Sequence, residues 1–271
     1  MEINSQHLLT GSSVVQLDCP KNKEKFKPGN LDTIVIHYTA GGSAESSAKF
    51  LIKSEVKASA HLVIGRQGEV FQLVPFDTVS WHAGESFYGN RTGLNQYSIG
   101  IELDNAGPLT KVGSEFQAWF GTKYQANDAI LATHRNETVP RYWHTYTEKQ
   151  IGVCQEICEL LIGKYGISLI VGHEEIAPKR KQDPGPAFPL DKLRYNLLSQ
   201  NRSDVPDFVE KEGKILIDNL NIRGGAGVNF QKVAQPLMKG KKVKVLEEQN
   251  GWYKVETTIE GWVSKGYVNI D

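Results

Sequence analysis

Cysteine is scarce: three residues among 271, at Cys19, Cys154 and Cys158. Two sit four apart and the third is distant, so no disulfide framework holds this chain, and buried thiols are expected. No run of about 18 apolar residues is available to cross a membrane as a helix. The opening stretch MEINSQHLLTGSS lacks the basic start and apolar centre of a signal peptide. The expectation is a cytoplasmic chain without a transmembrane segment, or one that leaves the cell by another route. Excess charge of either sign is missing as well, because Lys+Arg and Asp+Glu both number 31. With no basic arm and no long like-charge block, no field draws the chain to nucleic acid, and no nucleic-acid partner is expected.

What is present is enough apolar residue, 39% of the chain, to bury a real core. From about residue 31 to 198, short β-rich runs alternate with helical patterns, which predicts an α/β domain, a sheet with helices packed on it. LDTIVIHYTAGG reads as a buried strand ending at His37 and Tyr38, followed by a glycine loop and Ser43 as the N-cap of a helix through Leu51. AHLVIGRQGEVFQLV reads as two strands around Gln67-Gly68. In YSIGIELD the alternation puts Ile99, Ile101 and Leu103 on one face and Ser98, Gly100 and Glu102 on the other. If the apolar face packs on helices, Glu102 points into a cleft. TEKQIGVCQEICELLIGKYGI opens with a capping box at Thr147 and Gln150, carries Cys154, Ile157, Cys158 and Leu161 at helical spacing, and stops at Gly166. A short strand then ends just before His173.

Two histidines at strand C-termini are candidates for one pocket, although each alone is more often an ordinary satisfied side chain. Asp183, ten residues after His173 in a proline-bracketed loop, completes a candidate set. His37, His173 and Asp183 suit a catalytic zinc ion: three protein ligands, an open fourth position and partial charge neutralisation. Such an ion lowers the pKa of a bound water from ~15.7 toward ~7. Glu102 is the candidate general acid-base. Lys181, two residues before Asp183, either stabilises an oxyanion or belongs to a solvated basic turn with Lys179 and Arg180. Glu174, Glu175, Lys179 and Arg180 are expected at the surface or behind the ligands.

The strings IVIHYT, SAHLVIGRQGEV, WHAGESFYGNRTGLNQYSIGIELDNAG and GHEEIAPKRKQDPG resemble the zinc-dependent N-acetylmuramoyl-L-alanine amidase family, which also contains phage lysozyme-like amidases and peptidoglycan recognition proteins. They are most similar to its muropeptide-recycling branch. The resemblance covers about residues 31–198 and implies a mixed β-sheet flanked by helices. It also implies hydrolysis of the amide between N-acetylmuramic acid and L-alanine, with peptidoglycan or a muropeptide as the partner substrate. By the same resemblance, His37, His173 and Asp183 match the zinc ligands, Glu102 the acid-base and Lys181 the oxyanion-stabilising lysine. His82, Ala83, Gly84 and Asn95 fall in segments that line or shape the substrate cleft. Ala60 stands where the phage-type branch has a tyrosine, which leaves proton transfer to Glu102.

The chain departs from the compact members by an aromatic-rich insertion, about 106–146. Its Phe116, Trp119, Phe120, Tyr142, Trp143 and His144 either wall the cleft and bind sugar rings, Trp143 among the substrate contacts, or pack the insertion onto the body. The catalytic domain is thus expected over 1–200, with a polar linker at 201–212.

Residues 213–271 are all-β in pattern, with a tight turn at Asn250-Gly251, and are similar to bacterial SH3 domains. Trp252, Tyr253, Trp262 and Tyr267 form either a wall-binding groove or the core of a small barrel. Lys239, Lys241, Lys242 and Lys244 are expected on a solvated strand edge. The competing function is a recognition protein that binds peptidoglycan without cutting it. A zinc peptidase is disfavoured because GHEEIA lacks the second histidine of an HExxH helix.

Overall fold

The computed structural model describes residues 1–198, 211–225, 230–249 and 252–258. The chain divides into two compact units, Met1–Asn201 and Arg202–Asp271. Among the described residues no helix is long and apolar enough to cross a membrane.

The first unit is built on a six-stranded mixed sheet. Its strands are β1 (Val14–Gln16), β2 (Thr33–Tyr38), β3 (Leu62–Ile64), β4 (Val70–Gln72), β5 (Ser98–Leu103) and one later strand at Leu169–Gly172. The spatial order is Leu169–Gly172, β2, β5, β3, β4, β1. The first four of these run parallel, β4 returns antiparallel to β3, and β1 is parallel to β4. Between β2 and β3 lies α1 (Ala44–Leu51), whose N-cap Ser43 accepts a hydrogen bond from the Ser46 N–H.

The period-2 pattern has the expected consequence. Ile34, Ile36, Ile99, Ile101 and Leu103 are fully buried on one face, packed against Cys154, Ile157, Cys158 and Leu161 of α2 (Glu148–Tyr165). Burying each such isoleucine or leucine contributes on the order of 1.5–3 kcal/mol. The three cysteines are free and buried. α2 begins at Thr147, which accepts the Gln150 N–H, and ends at Gly166 with φ +68. The capping box is only half made. Gln150 is fully buried and turns inward, donating to the carbonyls of Ile64 and Asp104. Capping Thr147 from solvent would leave those two buried acceptors without that donor.

The insertion forms its own antiparallel sheet of β6 (Pro108–Val112), β7 (Glu115–Gln117), β8 (Lys123–Tyr124), β9 (Ala129–Ala132) and β10 (Arg141–His144), in the order β8-β7-β6-β10-β9. After α2 come β11 (Leu169–Gly172), the one-turn α3 (His173–Ile176) and α4 (Leu190–Leu198).

Among its described residues the second unit has three antiparallel strands, β12 (Lys211–Lys214), β13 (Lys242–Gln249) and β14 (Trp252–Glu256). Val243 and Val245 of β13 are buried, and Val243 packs with Ile215 and Leu237. Lys242 and Lys244 are not on an edge, as was expected, but on the central strand. Glu212 and Glu256 stand opposite Lys244 on its two sides, so acidic neighbours suit the lysine to an interior strand. The Asn250-Gly251 turn, Trp262, Tyr267 and most of the 201–212 linker lie outside the described residues.

Candidate metal centre

His37 sits near the end of β2 and His173 begins α3 directly after β11. These strands are parallel neighbours in register, Ile36 beside Gly172, so both histidines emerge at one end of the sheet. Asp183 is brought back by the loop after α3, where the Glu174 N–H donates to the Asp183 carbonyl at 2.8 Å. The three side chains converge. His37 Nδ1 lies 2.9 Å from His173 Nδ1 and 2.8 Å from Asp183 Oδ2, and His173 Nδ1 lies 2.9 Å from the same oxygen. All three residues are buried, and together they form a set able to hold one metal ion.

Whether a cation suits this cluster is decided by where the ring protons are. Ser98 Oγ commits its hydrogen to the Leu94 carbonyl at 2.6 Å, so it and the Ser98 carbonyl both act as acceptors toward His82 Nε2, each at 3.2 Å. His82 therefore carries its proton on Nε2 and offers the lone pair of Nδ1 to His37 Nε2, 2.9 Å away. That contact requires the His37 proton on Nε2, which leaves Nδ1 bare toward the centre. His173 is fixed in the same sense by donating from Nε2 to the Ala83 carbonyl at 3.1 Å. Two imidazole lone pairs and a carboxylate oxygen thus face one another with no proton between them. This arrangement is repulsive until a cation sits among them, and imidazole with carboxylate is a donor set for zinc.

The cluster forms part of the lining of an open pocket of about 880 Å³, with Glu102 and Lys181 beside it. Glu102 is the register partner of His37 on the adjacent parallel strand. Its Oε2 is buried without a hydrogen-bond partner. Burial raises the Glu102 pKa well above the ordinary carboxylate range, and the Asp183 charge adds to this, while the Lys181 charge opposes it. Burial also lowers His37, helped by His173 and opposed by Asp183, to about 4.

The other expected substrate contacts are placed differently. His82 touches the pocket but spends both ring nitrogens behind His37. A Cβ on Gly100 would lie 2.3 Å from its ring, so the glycine makes room for it on β5. Ala83 is fully buried, and its carbonyl holds His173 and Arg180. Gly84, at φ +57, turns the chain against the Arg180 guanidinium. Asn95 accepts the backbone N–H groups of His82 and Ala83 at 3.1 and 2.7 Å and so shapes this loop.

Trp143 is corrected outright as a substrate contact. It is 1% exposed, donates its indole N–H to the Ala132 carbonyl and packs on Gly185. Phe116 and His144 are buried too, whereas Trp119 is 78% exposed. Glu174 is buried at 3% exposure, well away from the surface position open to it from sequence. The role of His134, which also faces the pocket, had no sequence signal.

A mixed sheet that delivers two imidazole lone pairs and a carboxylate to a pocket wall defines an α/β protein with a metal-type His-His-Asp centre. The chain belongs to the N-acetylmuramoyl-L-alanine amidase family, whose profile matches residues 27–186, and a bacterial SH3 domain profile matches residues 218–269. It is 37% identical over 148 residues to the 1,6-anhydro-N-acetylmuramyl-L-alanine amidase AmpD of Enterobacter cloacae, covering 54% of this chain and 59% of that protein. It is 32% identical over 187 residues to the N-acetylmuramoyl-L-alanine amidase AmiD of Escherichia coli K12, covering 66% of this chain and 57% of that one. The chain thus spans less than two thirds of the length of these relatives.

Among solved structures, a selenomethionine AmpD derivative aligns with TM-score 0.48 and 26% identity, covering 73% of this chain and 99% of that one. AmiD of E. coli, in complex with anhydro-N-acetylmuramic acid-L-Ala-D-gamma-Glu-L-Lys, aligns with TM-score 0.45 and 31% identity, covering 60% and 56%.

Proposed function

We propose that this chain is a zinc-dependent amidase that hydrolyses the bond between the lactyl carbonyl of N-acetylmuramic acid and the L-alanine nitrogen of peptidoglycan or muropeptides. The observation that carries this is the convergence of His37 Nδ1, His173 Nδ1 and Asp183 Oδ2 within 2.9 Å of one another, with Glu102 on the neighbouring strand. Family membership and the amidase activities of the relatives support it.

His37, His173 and Asp183 would hold the ion, with His82 and Ala83 fixing the two histidine tautomers. When bound, zinc supplies Lewis acidity to the amide carbonyl and to the attacking water. Glu102 takes the proton released by that water. Its raised pKa suits it to pass the proton on to the alanine nitrogen as the C–N bond breaks. Lys181 holds the negative charge that develops on the carbonyl oxygen. No protein group is left in a changed protonation state once the amine departs. The bacterial SH3 unit serves wall or peptide binding.

The retention of all three ligands together with Glu102 weighs against a non-catalytic recognition protein. The test is product analysis by mass spectrometry after incubating the zinc-loaded chain with intact sacculi and with soluble muropeptides. Release of free stem peptide is expected. Muramoyl-L-alanine bonds left uncut across both substrates, with zinc bound, refute the proposal.

A further inference from the structure

We propose that the inserted sheet acts as a clamp on the metal-ligand loop, with His134 as its central positioning residue. The connection between β9 and β10 carries four consecutive polar side chains, His134, Arg135, Asn136 and Glu137, and all four grip the loop from His173 to Gly185.

His134 Nδ1 accepts the Asn136 backbone N–H at 3.2 Å, so its proton is on Nε2. That single N–H faces two acceptors: Glu174 Oε2 at 2.6 Å and the Gln182 carbonyl at 3.2 Å. Glu174 directly follows the ligand His173, and Gln182 directly precedes the ligand Asp183. One side chain from the insertion therefore ties together the two ends of the loop that supplies two of the three ligands.

The neighbours act in the same direction. The buried Glu174 carboxylate also accepts the Gly185 N–H at 3.1 Å and pairs with Arg135 Nε at 3.0 Å. Asn136 Nδ2 donates to the carbonyls of Glu174 at 2.9 Å and Pro178 at 3.4 Å. Gln182 Nε2 donates to Glu137, which Arg141 holds with two contacts of 2.6 and 2.8 Å. Trp143 stacks under His134 at 5.6 Å between ring centres and also packs against Gly185. A loop of this length has many conformations of its own. Buried hydrogen bonds at both of its ends select the one in which His173 and Asp183 converge.

The zinc part of this inference rests on the metal assignment above, so the experiment has two arms on the full chain. In the metal-free protein, His134→Ala is expected to speed amide exchange of Glu174 and Gly185 by at least about tenfold, with the α2 amides unchanged. In zinc titrations against a chromophoric chelator, His134→Ala is expected to weaken affinity about 10–100-fold. His134→Gln, which keeps an N–H donor, should recover most of that loss. Asn136→Ala, which removes only the carbonyl contacts, gives a milder version of both effects if His134→Ala does not fold. Unchanged exchange in the loop, or wild-type zinc affinity in a folded His134→Ala protein, overturns the clamp. A wild-type chain that binds no zinc overturns the metal assignment instead, and the exchange arm still decides the clamp.

Discussion

His37 and Glu102 stand directly opposite each other on neighbouring parallel strands, one a metal-type ligand and the other a buried carboxylate with an unpartnered oxygen. Each strand alternates, so the pairing places both side chains on the same face of the sheet and keeps them apart from the isoleucine core behind.

The two carboxylates are expected to separate in a mutant series. Glu102→Gln should keep zinc and lower kcat by roughly 10²–10⁴, while Asp183→Ala should lose the metal and with it turnover. Lys181→Ala is expected to keep zinc and lose about 10²–10³ in kcat. Metal content measured beside steady-state rates checks this, and parallel loss of zinc in all three removes the assigned roles.

His82 fixes the proton of His37 and lies flat on Gly100. His82→Phe should therefore weaken zinc binding by about 10–100-fold. Gly100→Ala should do the same by pushing the ring off the strand. A chelator-competition titration reads both, and wild-type affinity in folded protein would show that the His37 tautomer needs no partner.

Two histidines outside the cluster contribute to the loss of stability in acid. Burial lowers His61 to about 4, and burial with the nearby Arg66 charge lowers His144 to about 3. Unfolded, each titrates near ~6.5. Below that pH the unfolded chain gains protons that the folded chain refuses, so stability falls as pH drops from about 6.5 toward these folded values. Each contributes a slope of up to ~1.4 kcal/mol per pH unit. Denaturant melts of the metal-free protein between pH 7.5 and 4.5 should steepen in this window, and His144→Gln should flatten the slope.

Trp119 donates its indole N–H to the carbonyl of Ala40, a pocket-lining residue three positions after His37. The ring is held at the rim with most of its surface free, a geometry suited to stacking on a sugar face. Trp119→Ala is expected to raise KM for glycan-bearing substrate about 2- to 10-fold, on the order of 0.5–1.5 kcal/mol, with kcat unchanged. An unchanged KM would leave the ring a packing element of the insertion alone.

By itself the sequence determined much of what depends on local periodicity and residue type. The alternation of Ile99, Ile101 and Leu103 set which face of β5 is buried, and so which way Glu102 points. Thr147 and Gly166 bounded α2, and histidines at two strand ends with a proline-bracketed aspartate marked the three residues that converge in one cluster able to hold a metal ion. Tertiary structure decided what depends on which elements become neighbours. Only the adjacency of β2 and β11 brings His37 to His173, and only the fold sets His82 Nδ1 against His37 Nε2. The same holds for the insertion. Its aromatic residues read alike as wall or filler, yet Trp143 is buried against Gly185 while Trp119 stays open, and His134 meets Glu174 and Gln182 across forty or more positions of chain. Local pattern encodes which side of an element faces inward, but the partner met there is set by packing between segments far apart in sequence.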